Sequence, residues 1–106
     1  MKRWDVKYTA EAAKDRDNLE GSSRNQVDKA ILKISQNPLP KNEGGYGTPL
    51  SNKRGNNLTG LCKIKLLKLG IRVVYKLVRN KECMKIIVIA LRSDNEVYEM
   101  AAKRIE

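Results

Sequence analysis

Four cationic side chains and one tyrosine in the second half of the chain are the residues that could act on a phosphodiester. They are Lys63, Lys65, Arg72, Arg92 and Tyr98. The sequence contains no histidine, which removes the usual general base and the commonest nitrogen ligand for a metal. Such a set suits RNA cleavage without a metal, because the 2′-hydroxyl must lose a proton, the phosphorane gains negative charge and the 5′-oxygen must be protonated as it leaves.

Each residue type has a role in such a reaction and also an ordinary explanation. A lysine crowded by other cations has a lowered pKa and can act as a base nearer neutral pH. Arginine holds phosphate oxygens in a planar fork, and tyrosine stacks on a base. The ordinary explanations are that Arg92 is solvated beyond the end of a strand and that Tyr98 is a core aromatic of a helix.

The stretch 61–77 carries three of these cations. Its apolar and cationic residues alternate on both sides of a turn at 67–70, which predicts a β-hairpin. A one-residue slip would turn over every side chain of one arm, so matching the apolar faces fixes the register. The predicted apolar pairs are Leu66 with Ile71, Ile64 with Val73, and Cys62 with Tyr75.

The other face of this hairpin is predicted to pair like charges. Lys65 lies opposite Arg72, Lys63 lies two positions along, and Lys76 shares the face. Like charges that face each other across a ladder are unfavourable by a few tenths to ~1 kcal/mol. Folding therefore does not explain the cluster, and removing Lys65 or Arg72 is expected to keep or slightly raise stability. The alternative is a solvated outer face, on which lysines are ordinary.

Length and charge limit the classes of protein and partner. The 106 residues predict one domain, and 22 Lys and Arg against 12 Asp and Glu give a net charge of +10. Such a charge indicates a polyanionic partner: nucleic acid, an anionic membrane surface or an acidic protein. With no apolar segment long enough to cross a bilayer, a cytoplasmic location and no membrane partner are expected. Cys62 and Cys83 are expected to be free thiols without a chemical role.

The first half of the chain predicts a strand and two helices. Residues around Trp4–Tyr8 alternate as a strand, and Thr9 caps a helix over about 10–19. Gly21 is expected to end that helix, and Ser22 or Ser23 to cap a second helix that runs to about residue 36. The two helices are expected to form a hairpin that covers one face of a sheet.

The remaining segments predict a long connection, a buried strand and a last helix. Residues 37–57 are rich in Gly, Asn, Pro and Lys, and are interpreted either as a loop that grasps an RNA backbone with Tyr46 stacking on a base, or as a connector anchored by Leu50 and Leu58. The apolar run at 84–91 predicts a strand in the middle of the sheet, covered on both faces. Ser93 to Glu96 form a capping box for a last helix.

These motifs together resemble the RelE-type toxins of bacterial toxin-antitoxin modules, within the RelE/ParE superfamily. The resemblance covers residues 4–106 and rests on three segments. They are Cys62-Lys63-Ile64-Lys65-Leu66, Gly70-Ile71-Arg72-Val73-Val74-Tyr75, and Arg92 followed by Glu96-Val97-Tyr98 and Lys103-Arg104-Ile105. The expected fold is α+β, with an N-terminal helical hairpin, a mainly antiparallel four-stranded sheet and a short C-terminal helix.

The resemblance also implies an activity and roles. It implies an endoribonuclease that enters the ribosomal A site and cuts mRNA by 2′-hydroxyl attack, without a cofactor, leaving a 2′,3′-cyclic phosphate. Lys65 would be the base, Arg92 the acid or leaving-group stabiliser, and Lys63 and Arg72 the phosphate clamps. Tyr98 would orient or stack on the nucleotide. The implied RNA-binding residues are Lys63, Arg72, Lys76 and Tyr98.

The implied partners are the ribosome, mRNA and an acidic antitoxin that covers this surface or displaces the last helix. The chain also departs from the family at one position. Some relatives carry a basic residue two positions after the arginine that matches Arg92, where this chain has Asp94, so affinity for RNA or ribosome is open. Two competing interpretations remain: a ParE-like inhibitor of DNA gyrase with the same fold, and a non-catalytic RNA-binding module.

Overall fold

A computed structural model of the chain describes residues 3–53 and 55–105. Within them lie three α-helices, seven strands and two short 3₁₀ turns, the latter at Lys41–Glu43 and Arg79–Lys81. The helices are α1 (Ala10–Asp17), α2 (Gly21–Ile34) and α3 (Asp94–Arg104). The strands are β1 (Asp5–Tyr8), β2 (Thr48–Pro49), β3 (Asn52–Lys53), β4 (Asn56–Asn57), β5 (Leu61–Leu66), β6 (Ile71–Val78) and β7 (Cys83–Ala90).

The main sheet has the strand order β1-β7-β6-β5-β2, in which only β1 and β7 run parallel. The predicted α+β class and mainly antiparallel sheet are confirmed, but the sheet has a fifth strand. That strand, β2, consists of Thr48 and Pro49 paired with Lys63 and Cys62. Two residues that include a proline carry no strand pattern, and proline is tolerated there because β2 is an edge strand. β3 and β4 form a separate two-stranded ribbon.

The hairpin of β5 and β6 has the predicted register at every pair named above, including Lys65 opposite Arg72. Its apolar face packs with α1 and α2 through Ala12, Val27 and Ile31, so the helical hairpin covers this face as expected. Both cysteines are free, as predicted, and both are buried. β7 is buried along most of its length, as predicted, but the predicted central position is wrong: β7 lies between β1 and β6, and β6 is the middle strand of the five.

The boundary between the two N-terminal helices differs from the prediction. Thr9 caps α1 as expected, accepting a hydrogen bond from the Ala12 amide at 3.0 Å. The second helix, however, begins at Gly21 and is capped by Glu20, whose carboxylate accepts from the amides of Ser22 and Ser23 at 3.0 and 3.3 Å. Glutamate is an unusual cap, but it provides the same anionic acceptor at the positive end of the helix.

The second face of the sheet is covered by α3. Ser93 caps this helix as predicted, with its hydroxyl accepting from the Glu96 amide at 3.3 Å. Residues of α3 and of the three central strands, β5, β6 and β7, form a separate apolar cluster together with Leu50 and Leu58. No helix within the described residues is long and apolar enough to span a membrane.

A bulge in β7 creates a polar site beside α3. Val74 pairs with Val88 and Tyr75 with Ile86, which leaves Ile87 without a partner on β6. Because β1 pairs only as far as Ile86, the backbone groups that follow need other partners. The Arg104 guanidinium donates to the Ile87 carbonyl at 2.8 Å, and the Ile89 amide donates to the Asp15 carboxylate at 3.0 Å.

Asp15 and Arg104 also pair with each other, at 2.7 Å and 3.2 Å. Both side chains are largely buried, with 17% and 14% of their surface exposed. This pair, with Asp15 near the end of α1 and Arg104 at the end of α3, ties the two helices across the free edge of β7. The same contact with Asp15 raises the pKa of the Arg104 guanidinium.

The long connection is anchored as one of its two interpretations expected. Leu50 and Leu58 are buried, which supports the connector. The Tyr75 hydroxyl donates to the Pro38 carbonyl at 2.7 Å, and a side chain at Gly47 would collide with that hydroxyl. Tyr46 stays about half exposed, so a contact with RNA is sterically open.

Replacing Asp15 with alanine should destabilise the fold strongly. The Arg104 charge and the Ile89 amide would lose their shared acceptor in a largely buried place, so we expect a loss of about 2 to 3 kcal/mol in urea unfolding. Asp17→Ala is the matched control on the same helix, because that side chain is 76% exposed and 3.9 Å from Arg16. The control should change stability by less than about 0.5 kcal/mol. Equal losses in the two variants would contradict the role given to Asp15.

Candidate active site

The β5–β6 hairpin brings Lys63, Lys65 and Arg72 onto the face of the sheet that α3 covers. Lys63 and Lys65 are two positions apart on β5, and Lys65 pairs with Arg72 on β6. Because side chains alternate across a strand, all three point to the same side. These three residues are called the cation cluster below.

Asp94, the first residue of α3, lies in the middle of the cation cluster. Its Oδ1 accepts a hydrogen bond from Arg72 Nε at 2.6 Å. Its Oδ2 is 3.6 Å from Lys65 Nζ and 3.8 Å from Lys63 Nζ. The Arg72 hydrogen bond, together with the charges of the three cations, lowers the pKa of the Asp94 carboxyl. Three cations on the two adjacent strands β5 and β6 therefore share one anion.

The expectation that the cluster only opposes folding is wrong, because Asp94 pairs with all three cations. The like-charge pair of Lys65 and Arg72 is present, but Asp94 lies between the charges and compensates for their repulsion. Arg72 in addition donates to the carbonyls of Gly70 and Arg92 at 3.1 and 2.7 Å. Its guanidinium thus joins the hairpin turn, the end of β7 and the start of α3, so Arg72 contributes to the fold as well as to the cluster.

Tyr98 holds one member of the cluster in place. Lys63 Nζ donates to the Tyr98 hydroxyl at 2.7 Å and lies 5.4 Å from the centre of its ring. The tyrosine is only 7% exposed and belongs to the apolar cluster under α3. Its ring has therefore no free face for a base in this structure. The arrangement favours the orienting role of Tyr98 over base stacking.

The other two predicted residues lie outside the cation cluster. Arg92 contributes its backbone carbonyl to Arg72, while its guanidinium is 58% exposed and 3.4 Å from Glu96. Lys76 is exposed and pairs in the sheet with Leu61 and Lys85. It lies further along β6 than Arg72, and Val74 separates the two on the same face. Arg92 thus borders the cluster, whereas Lys76 could only contact RNA that extends along the sheet.

Sequence reasoning noticed Asp94 as a departure from relatives but missed its contacts with the cluster. One signal was available: a like-charge pair across a ladder needs a counter-ion, and Asp94 starts the helix that must cross this face. No group of three metal-ligating side chains occurs among residues 3–53 and 55–105.

Comparison with known proteins agrees with the fold and with the sequence motifs. An Escherichia coli protein described as a RelE-like toxin is 26% identical over 103 residues, which is 97% of this chain and 98% of that protein. No family model matches the chain.

Two solved structures show the same architecture. The E. coli RelE toxin, as a double mutant in the free state, is 25% identical with a TM-score of 0.74, covering 99% of this chain and 100% of that one. A RelBE toxin-antitoxin complex from Mycobacterium tuberculosis gives 21% identity and a TM-score of 0.69, covering 89% and 97%.

The fold is that of the solved RelE structures, and in this chain an N-terminal helical hairpin covers one face of a five-stranded sheet while the C-terminal helix covers the other. The chain is similar to RelE-type toxins over nearly its whole length, and the resemblance indicated by its motifs is confirmed.

Two alanine variants should separate the structural from the chemical members of the cluster. Arg72→Ala leaves Asp94 without its hydrogen bond and two carbonyls without a donor, so we expect a loss of about 2 kcal/mol in urea unfolding. Lys65 is 37% exposed, and its ion pair with Asp94 is long, at 3.6 Å. Lys65→Ala should therefore change stability by less than about 0.5 kcal/mol. If Lys65→Ala cost as much as Arg72→Ala, Lys65 would be a structural residue.

Proposed function

We propose that the chain is a ribosome-dependent endoribonuclease that cuts mRNA in the A site and so stops translation. The observation that carries this proposal is the convergence of Lys63, Lys65 and Arg72 on a single carboxylate. Cations arranged to share one anion can also receive a phosphate, which has the same charge and similar acceptor oxygens. The net charge of +10 suits approach to RNA.

The contacts of Asp94 suggest where the phosphate group binds. One non-bridging oxygen would take the place of Oδ1 on Arg72, and the other would lie near Lys63, which Tyr98 holds. Arg72 is fixed by two carbonyls and Lys63 by one hydroxyl, so neither has to be ordered when the substrate arrives. Both would therefore stabilise the phosphorane, which carries more negative charge than the phosphodiester.

Lys65 is the best-placed general base. It is the most exposed member of the cation cluster, and its ammonium group is 3.6 Å from Asp94, further than the hydrogen bonds that hold Arg72 and Lys63. It would take the proton of the 2′-hydroxyl as the 2′-oxygen forms its bond to phosphorus. The bond from phosphorus to the 5′-oxygen then breaks, leaving a 2′,3′-cyclic phosphate and a 5′-hydroxyl.

Arg92 would act on the leaving group. Its guanidinium is at the border of the cluster and is held by an exposed pair with Glu96, and exposed pairs are worth at most about 1 kcal/mol. It can therefore turn towards the departing 5′-oxygen and stabilise the charge there, while water or the protonated base supplies the proton. Lys76, further along the sheet, would contact the RNA backbone outside the cleaved linkage.

A cationic surface of this kind would suit an acidic antitoxin as partner. Structures of RelE relatives include toxin-antitoxin complexes. The cation cluster already accommodates a carboxylate from its own chain, so an acidic segment of another chain could cover the same residues. Neutralisation would then act on the proposed chemical site directly or through the α3 helix that supplies Asp94.

Expression of the chain without an antitoxin should stop protein synthesis before DNA synthesis. Amino-acid incorporation should fall first, and mapping of mRNA 5′ ends after brief induction should show new ends inside reading frames. Lys65→Ala should lower the cleavage rate by about 100-fold or more, the scale of a lost general base. The matched control is Lys29→Ala, an exposed lysine on α2 on the other side of the sheet.

Two results would contradict this function. Double-strand breaks with intact transcripts would indicate a gyrase inhibitor. Translation arrest without new mRNA ends, and equally strong in Lys65→Ala, would indicate an RNA-binding module without catalysis.

Cleavage should depend on the ribosome. The site has no histidine base, so it gains most from a substrate that is already held in line. Purified protein should cut mRNA in programmed ribosomes at least about 100-fold faster than the same mRNA alone, since positioning supplies a large share of such rate gains. The measurement is a time course of primer extension at matched protein and RNA concentrations. Equal rates with and without ribosomes would refute the dependence.

A further inference from the structure

The carboxylate in the cation cluster is bound in the way that a phosphodiester would be. One oxygen of Asp94 takes the Arg72 hydrogen bond, and the other lies between two ammonium groups at 3.6 and 3.8 Å. A phosphodiester likewise offers two non-bridging oxygens and one negative charge. Asp94 and a substrate phosphate would therefore compete for the same three cations.

We propose that Asp94 is an internal competitor of the substrate, which occupies the phosphate site in the free protein and must turn away before an RNA phosphodiester can bind. This inference rests on the proposed function for the identity of the competing ligand. It adds a regulatory residue to the site: the chain holds its own cluster closed, and RNA affinity is lower than three cations alone would give.

The position of Asp94 allows this displacement without unfolding of α3. Its side chain is 34% exposed, so it can rotate into solvent from the first turn of the helix. The helix start is capped by Ser93 and Glu96, which do not use the Asp94 side chain. The far end of the helix is fixed by Arg104 on Asp15. The helix therefore keeps its N-terminal cap and its C-terminal anchor while the carboxylate moves.

An internal competitor also discriminates between substrates. A single phosphate on freely diffusing RNA must displace a carboxylate whose local concentration is high because it is part of the same chain. An mRNA that the ribosome holds beside the cluster has a comparable local concentration and can displace the Asp94 carboxylate. Asp94 would thus suppress binding of free RNA more than binding of positioned RNA.

The test compares Asp94→Asn with Asp5→Asn. Both variants remove one negative charge and keep the side-chain size. Asp5 is exposed and pairs with Cys83 at the first residue of β7, whereas Arg72 of the cluster pairs with Ala90 at the last residue of the same strand. The probe is a short fluorescein-labelled 2′-O-methyl RNA, which cannot be cleaved by 2′-hydroxyl attack, and the readout is fluorescence anisotropy at fixed salt. We expect Asp94→Asn to bind about tenfold more tightly than the unmodified protein, and Asp5→Asn less than about twofold, because rim charges are screened.

A second measurement keeps the test decisive if Asp94→Asn is less stable. The melting temperature is compared in sodium chloride and in sodium sulfate at equal ionic strength. Sulfate should raise the melting temperature of Asp94→Asn more than that of the unmodified protein and of Asp5→Asn, because only in Asp94→Asn is the cluster vacated for an external anion.

The outcomes separate this inference from the proposed function. Tighter RNA binding and a larger sulfate effect in Asp94→Asn support an internal competitor, even if ribosome assays show that the protein does not cut mRNA. Unchanged RNA binding and an unchanged sulfate effect overturn the inference, even if mRNA is cut as proposed. Equal gains in Asp94→Asn and Asp5→Asn also overturn it, because they would reflect net charge alone.

Discussion

The hydrogen bond between Arg72 and Asp94 is the contact on which the cationic face of this protein depends. It joins the middle of the sheet to the first turn of α3 at 2.6 Å, and the same guanidinium holds the carbonyls of Gly70 and Arg92. Without a carboxylate at this place, three cations would face one another on adjacent strands. The interaction lets the chain keep a concentration of positive charge that a hairpin by itself would disfavour. Structure and proposed chemistry therefore use the same atoms, and a substitution at Arg72 affects both.

The helix that supplies Asp94 is held by polar contacts at two distant points. At its start, Asp94 meets the hairpin, and at its end, Arg104 meets Asp15 and the carbonyl of Ile87. Between these points lies a modest apolar strip that includes Val97 and Ala101. Helix α3 is thus placed by two directional contacts as well as by hydrophobic burial, which is non-directional. This arrangement sets the height of Tyr98 above the sheet and, through it, the position of Lys63.

Those parts of the fold that repeat a simple period could be predicted from the sequence. The alternation along 61–77 set the register of β5 and β6, because only one parity buries both apolar faces. Features that depend on a single side chain far along the chain could not be predicted in this way. The counter-ion at Asp94, the cap at Glu20 and the bulge at Ile87 each rest on one local contact that leaves no period. The grouping of Lys63, Lys65 and Arg72 was accessible to sequence reasoning, whereas the burial of Tyr98 and the outward direction of Arg92 required the structure.

The free edge of β7 has a consequence for how the molecule behaves among other copies of itself. Past the end of β1, an edge of this length would offer unpaired amides and carbonyls to any passing strand, a common route to aggregation. Here the Ile87 carbonyl is taken by a guanidinium and the Ile89 amide by a carboxylate, and α1 lies alongside. Two ionised side chains thereby act as a cover that a strand from another molecule would have to desolvate and break. This polycationic protein is in this way protected, along its most apolar strand, from association by sheet extension.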